Sequence, residues 1–231
     1  MRALAVIGAG YGDEGKGAAT DRLAATLGPR ALVVRHNGGA QAGHTVIAPD
    51  GRRHVFGHIG SGSFAGVPSY LSEYFVASPI LCLRELRALA VLGVQPKLHV
   101  DAGCAVTTPY DMLLNQAVEA ARGAGRHGSC GVGFGETIER HGHAGFALTV
   151  ADLRKPVRLR ERLEAIRRDW LPARAAALGL DRLPAVAYDE ALLARFVDDC
   201  ARFLAAVEVC DAGVLRGRPL IFEGAQGLGL D

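Results

Sequence analysis

The sequence predicts an α/β protein with a mainly parallel central sheet flanked by helices. The expected variant is a phosphate-loop-like nucleotide-binding fold with a helical excursion near residues 152–210. Three observations predict it. Leu4-Ala5-Val6-Ile7 is a short apolar run suited to a buried strand. The glycine-rich stretch from Gly8 to Gly17 follows, and residues 18–27 then read as a helix. Ala31-Leu32-Val33-Val34-Arg35 is a second strand, at the right distance after the helix for a right-handed βαβ unit.

Val46-Ile47 and His54-Val55-Phe56 flank Pro49-Asp50-Gly51, whose turn residues predict a hairpin. Tyr74-Phe75-Val76 reads as a strand. From Pro79 to Leu92, apolar residues recur at helical spacing through Ile80, Leu83, Leu86 and Leu89. Lys97 to Val100 is expected as a strand and Pro109 to Ala121 as a helix. Gly123 to Gly145, glycine-rich and poor in hydrophobes, is expected to be a long loop, of the kind that is functional or disordered. Arg154 to Ala177 reads as a charged helix interrupted at Pro172, and Glu190 to Val209 as a more amphipathic one. Pro219 to Phe222 is a buried strand that opens into Glu223-Gly224-Ala225-Gln226-Gly227.

The chain has 231 residues, 49% of them hydrophobic, enough for one sizeable α/β domain. A net charge of +2 gives no reason to expect nucleic acid or an anionic membrane as partner. Five cysteines without CxxC spacing argue against a disulfide scaffold and a structural zinc site. The N-terminus enters a strand at once and no apolar run is long enough to span a bilayer, so a cytoplasmic location is expected. Thirty glycines gather mainly in a few loops, which suggests backbone closing on ligands.

The first loop nearly fits the phosphate-loop pattern as Gly10-x-x-x-x-Gly15-Lys16-Gly17. That pattern wants a hydroxyl after the lysine to bind Mg²⁺, and Gly17 has none. Asp13 is the nearest oxygen inside the loop that would take its place, by binding metal, accepting a substrate proton, or both. Lys16 would neutralise phosphate charge. In the second loop, His44 would donate to a phosphate or a developing oxyanion, or make one backbone bond at the surface. Gln41 and Gln226 sit in glycine-rich loops, where an amide suits a base edge. Ser129 and Cys130 suit a second anion site; a nucleophilic pair of Cys130 with His127 is the alternative. Arg140 would grip phosphate or be a solvated arginine.

These motifs converge. Gly12-Asp13-Glu14-Gly15-Lys16-Gly17, Gly38-Gly39-x-x-Ala42-Gly43-His44-Thr45 and Phe222-Glu223-Gly224-Ala225-Gln226-Gly227, in this order and spacing, resemble the adenylosuccinate synthetase family. The resemblance implies a Mg²⁺-dependent ligase joining L-aspartate to C6 of IMP with hydrolysis of GTP (or ATP), through a 6-phosphoryl intermediate. It implies that Asp13 deprotonates N1 of the purine and binds Mg²⁺ together with the Gly43 carbonyl, and that His44 stabilises the transferred group. Lys16 and the N–H groups of Gly12, Glu14, Gly15 and Gly17 would hold nucleotide. Gln41, Ala42, Thr45 and Gln226 would face the substrates. Ser129 and Cys130 would bind the 5′-phosphate, and Arg140 would come from a neighbouring subunit, implying a homodimer. Gln41 stands where the family usually has Asn, Ser129-Cys130 replaces Thr-Thr and Val132 replaces Arg. All lie on the acceptor side, so the same chemistry on GMP or dGMP, as in the phage branch that makes 2-aminoadenylosuccinate, is a second expectation. The resemblance covers only the first half or so of the family, which implies the N-terminal part of a longer enzyme. A non-catalytic nucleotide-binding module and a kinase or switch GTPase are the competing readings, the last disfavoured by Gly17.

Overall fold

The computed structural model describes residues 2–125 and 128–230. Among them, six strands form one parallel sheet. They are β1 (Ala3–Gly8), β2 (Leu32–Arg35), β5 (Ser69–Leu71), β7 (Leu98–Asp101), β9 (Glu208–Cys210) and β10 (Leu220–Gly227), in the spatial order β1-β10-β2-β5-β7-β9. The last strand in sequence thus lies between the first two. Every residue of β2 is buried, as expected of a strand covered on both faces. Two short pairs stand outside the sheet: the antiparallel hairpin β3 (His44–Ile47) with β4 (Arg53–Phe56), and β6 (Val76–Ala77) with β8 (Ala105–Val106).

Helix α1 (Lys16–Leu27) starts at Gly15, whose φ of 81° is left-handed and costs glycine least. Helix α2 (Pro79–Val91) starts at Ser78, whose hydroxyl accepts from Leu81 N–H, with Pro79 in the first turn. Helix α3 (Pro109–Arg122) has a capping box between Thr108 and Asp111. The helical excursion comprises α5 (Val150–Leu153), α6 (Pro156–Ala165), α7 (Leu171–Ala177) and α8 (Glu190–Ala206). Pro172 does not break it: a π-helical turn at Ile166–Trp170 carries α6 into α7 and absorbs the missing N–H.

The main core joins sheet and excursion. Leu71, Phe75 and Val100 pack in one cluster with Leu163, Phe196 and Phe203, each such side chain worth about 1.5–3 kcal/mol of burial. A smaller cluster of Val6, Ala24, Val33 and Ile221 seats α1 on the other face. Glu85 of α2 reaches the chain after β4, where its buried carboxylate accepts from Gly57, His58 and Ile59 N–H at 2.9, 2.7 and 3.3 Å.

Three expectations are corrected. The segment expected as a strand at Tyr74–Val76 contributes only Val76 to β6, which pairs with β8 and not with the main sheet. The expected loop at Gly123–Gly145 contains helix α4 (Phe134–His141), started by Gly133 at φ 79°. The amphipathic helix stops at Ala206, and residues 208–210 return to the sheet edge as β9.

Candidate active site

Loops leave the C-terminal ends of β1, β2 and β10 on the same edge of the sheet, where open parallel sheets bind ligands. The first loop wraps around its own acid. Glu14 accepts from Gly10 N–H at 2.8 Å and Gly12 N–H at 3.1 Å. The Gly12 bond, against a lesser opposing effect of desolvation, holds the Glu14 carboxyl below its ordinary range. Lys16, expected on phosphate, is buried; its Nζ donates to the Gly12 carbonyl at 2.7 Å and lies 3.8 Å from Glu14. A carboxylate and an ammonium thus face each other across the loop N–H groups. Asp13 is exposed at the tip of the same loop.

The end of β10 clamps that loop. A Cβ on Gly227 would come within 2.3 Å of the Gly10 carbonyl oxygen, and Gly229 N–H donates to that oxygen at 2.8 Å. The second loop is tied to the same place by Asn37, whose side chain accepts from Ala225 N–H at 3.1 Å. Gln41 is half-buried, with its amide against Gly38 and Gly39. Ala42 is buried, Gly43 and Thr45 are exposed, and Gln226 is exposed beside the loops.

His44 opens β3 and is buried against the start of α1, where a Cβ on Gly17 would lie 3.1 Å from the His44 Cβ. It is not a surface histidine with one backbone bond. Nδ1 pairs with Glu223 Oε1 at 2.7 Å, and Nε2 pairs with the Ala225 carbonyl at 3.1 Å.

Glu223 and Arg35 escaped the sequence reading as site residues. Parallel pairing puts them opposite each other at the ends of β10 and β2, and both are wholly buried. Glu223 accepts from Ser61 N–H at 3.1 Å and from the Ser61 hydroxyl, and Arg35 Nη1 lies 4.0 Å away. Burial acts to raise the Glu223 pKa, but the His44 bond, the Arg35 charge and Ser61 hold it below the ordinary range. Arg35 Nη2 donates to the Ala42 carbonyl at 3.3 Å. The usable signal was a charged residue closing an otherwise apolar strand: Leu-Val-Val-Arg and Leu-Ile-Phe-Glu.

The third loop joins the second where Phe134 of α4 packs against Gly39. Ser129 and Cys130 are exposed in it. Glu119 of α3 accepts from Gly128 and Ser129 N–H at 2.9 and 3.2 Å, so here too a carboxylate rests on an anion-type loop. Asn115 of α3 donates to the Ser129 hydroxyl at 2.9 Å. Ala40 and Val132 line one cavity of about 340 Å³ with His54 and Glu85. His127, the nucleophile-pair alternative, lies outside the described residues.

Arg140 is corrected. It is not a solvated arginine. Its guanidinium is fully buried and donates to Asp111, Val106 and Phe146. The reason is local: α4 turns Arg140 inward onto the acid that caps α3. It therefore carries no argument about a second subunit.

Among the described residues no group of three or more His, Cys, Asp or Glu side chains forms a metal cage. Mg²⁺ seldom needs one: it takes one or two carboxylates and fills its octahedron with phosphate and water. Asp13 and Gly43, the residues expected to offer oxygens to the ion, are both exposed. No helix among the described residues is long and apolar enough to cross a membrane.

Comparison with known proteins gives one family. Its sequence model, adenylosuccinate synthetase, matches residues 5–231. The adenylosuccinate synthetase of Neisseria gonorrhoeae is 34% identical over 238 residues, covering 99% of this chain and 52% of the relative. That of Gloeobacter violaceus is 36% identical over 240 residues, with 100% and 52% covered. The chain thus spans about half the length of the curated relatives it matches. Two solved structures share the fold. Fully ligated adenylosuccinate synthetase from Plasmodium falciparum superposes with a TM-score of 0.77 at 19% identity, covering 99% of this chain and 52% of that one. The succinoaminodeoxyadenylate synthetase of cyanophage S-2L, bound to dGMP and dATP, gives 0.59 at 22% identity, covering 100% and 53%.

Proposed function

The chain belongs to the adenylosuccinate synthetase family, and on that premise we propose that its protein is a C–N ligase of purine nucleotide biosynthesis. It joins L-aspartate to C6 of a 6-oxopurine nucleotide, IMP in the first reading, at the expense of GTP or ATP. The observation that carries this is the meeting of the first loop, His44 and the Ala225–Gln226 segment at one edge of the sheet.

A carbonyl oxygen at C6 is a poor leaving group, and a phosphate ester is a good one. In the first step the 6-oxygen attacks the γ-phosphorus, the bond to the β-phosphate oxygen breaks, and the N1 proton passes to the Asp13 carboxylate. Lys16 and the loop N–H groups neutralise the phosphates. His44 donates to the transferring oxygens. In the second step the aspartate amine attacks C6, inorganic phosphate leaves with the C6–O bonding pair, and the nitrogen gives up one proton to the departing phosphate or to water. Mg²⁺, held through Asp13 and the Gly43 carbonyl, would supply charge neutralisation on the phosphates. Gln226 and Gln41 face the purine, and Ser129 and Cys130 face the 5′-phosphate. A homodimer in the cytoplasm is the expected setting.

A second reading keeps the chemistry and changes the acceptor to GMP or dGMP. It is favoured by the departures Gln41, Ser129-Cys130 and Val132, all on the acceptor side. The test is one assay with several arms: the intact protein, Mg²⁺, GTP or ATP, L-aspartate, and IMP, GMP or dGMP. Aspartate-dependent phosphate release with one acceptor supports the ligase and selects the reading. Phosphate release that ignores aspartate, or none in any arm, overturns it.

A further inference from the structure

We infer that Glu223 is a positioning residue for His44, holding the imidazole through Nδ1 so that Nε2 is the nitrogen presented between the first loop and the end of β10. The inference rests on the phosphoryl-transfer reading above and adds a residue to it.

Burial is the first argument. A carboxylate with no exposed surface is costly unless paired and hydrogen-bonded, and an apolar side chain would close β10 more cheaply. The strand's preceding residues, Leu220, Ile221 and Phe222, are apolar. Glu223 interrupts them at the level of the site, where the parallel register sets it beside Val6 of β1 and Arg35 of β2.

Geometry is the second. A histidine with one partner swings about its ring axis between two orientations. The Nδ1 bond at 2.7 Å and the Nε2 bond at 3.1 Å select one. The carboxylate is itself fixed: Ser61 donates to it from both backbone and side chain. Arg35 stands 4.0 Å off with Nε and Nη1 unbonded, so it acts on Glu223 by charge. Its remaining bond, to the Ala42 carbonyl, reaches the loop that delivers His44. Carboxylate, imidazole and reacting group in a row is the arrangement that orients a functional histidine and fixes which nitrogen bears the proton.

The test uses the intact protein with Glu223→Gln, Glu223→Asp, His44→Ala and the double variant Glu223→Gln/His44→Ala. Glu223→Gln is expected to lower kcat by on the order of 10- to 100-fold, with KM for both nucleotides within about threefold. Glu223→Asp should recover part of the loss. In the His44→Ala background Glu223→Gln should add less than about twofold, because the two residues act as one unit. An equal loss in both backgrounds, or unchanged kcat, overturns the inference. A ¹⁵N–¹H spectrum of the histidine-labelled protein supplies a readout independent of turnover. A slowly exchanging His44 Nδ1 proton present in the wild type should exchange faster and move upfield in Glu223→Gln, where the acceptor is neutral, and shift back toward its wild-type position in Glu223→Asp. If the wild type shows no aspartate-dependent turnover, the ligase reading fails while this spectrum still decides the pairing. A wild type without a slowly exchanging Nδ1 proton sinks the inference alone.

Discussion

Arg140 grips both carboxylate oxygens of Asp111, Nε to Oδ1 and Nη2 to Oδ2 at 2.8 Å, and neither side chain has any exposed surface. Asp111 also closes the capping box of α3 through Thr108. One ion pair therefore joins α3, α4 and β8, whose Val106 carbonyl accepts the same guanidinium. Arg140→Met leaves Asp111 buried and unpaired, and is expected to cost about 3–5 kcal/mol. Denaturant unfolding of both proteins checks it; a loss under about 1 kcal/mol, as for an exposed pair, contradicts the enclosure.

Asp13 is exposed and carries no fold-maintaining bond among those observed. Asp13→Ala should keep the melting temperature of the wild type while kcat falls on the order of 10²- to 10⁴-fold, the usual contribution of a positioned acid–base group. Scanning calorimetry and the phosphate-release assay read the two halves separately. Activity within tenfold of wild type would remove Asp13 from the mechanism.

The Glu14 carboxylate occupies the N–H groups of Gly10 and Gly12 that a phosphate would use. On the proposed function, an incoming phosphate would have to displace it. Glu14→Gln, which weakens that internal acceptor, should tighten pyrophosphate binding at pH 7 by roughly fivefold, about one net hydrogen bond. Isothermal titration decides; weaker binding would mean that Glu14 supports the anion cradle and does not compete for it.

Burial opposes the Glu85 charge, but the His54 and His58 rings at 3.6 Å and the His58 N–H overcome this and hold its pKa at about 2, down from 4.5. A carboxyl depressed in the folded state stabilises it above the unfolded pKa. That share, roughly 3 kcal/mol, is lost as pH falls from about 4.5 toward 2. Glu85→Gln should therefore be less stable than wild type at pH 6, and the gap should shrink steadily below pH 4.5 in thermal melts. A gap that is constant with pH contradicts the assignment.

The strand–loop–helix start, the hairpin at β3 and β4, helices α2 and α3, and the family were legible because each rests on a local pattern. Ser69-Tyr70-Leu71 was not. Three residues carry no periodicity, and they are a strand only because β2 and β7 pair with them on either side. Residues 208–210 continue a helical pattern and are pulled into β9 by pairing with β7. Helix α4 was masked by glycines, although one of them, Gly133, is the left-handed residue that starts it. Among the candidate site residues, the loops that meet at the sheet edge were readable from glycine spacing. Glu223 and Arg35 were not, because their meaning comes from a register between strands nearly two hundred residues apart, and Arg140 was misread because sequence does not say which way a helix faces.

Inserting β10 between β1 and β2 has a consequence for synthesis. Until residue 227 has left the ribosome, β1 and β2 have no partner on their facing edges, and each presents a bare row of hydrogen-bonding groups to any extended segment nearby. The closing contacts have very high sequence separation, which slows folding. The nascent protein thus holds its glycine loop unclamped until residue 227 has been made, and a chaperone that shields the first 35 residues would be guarding the gap that β10 later fills.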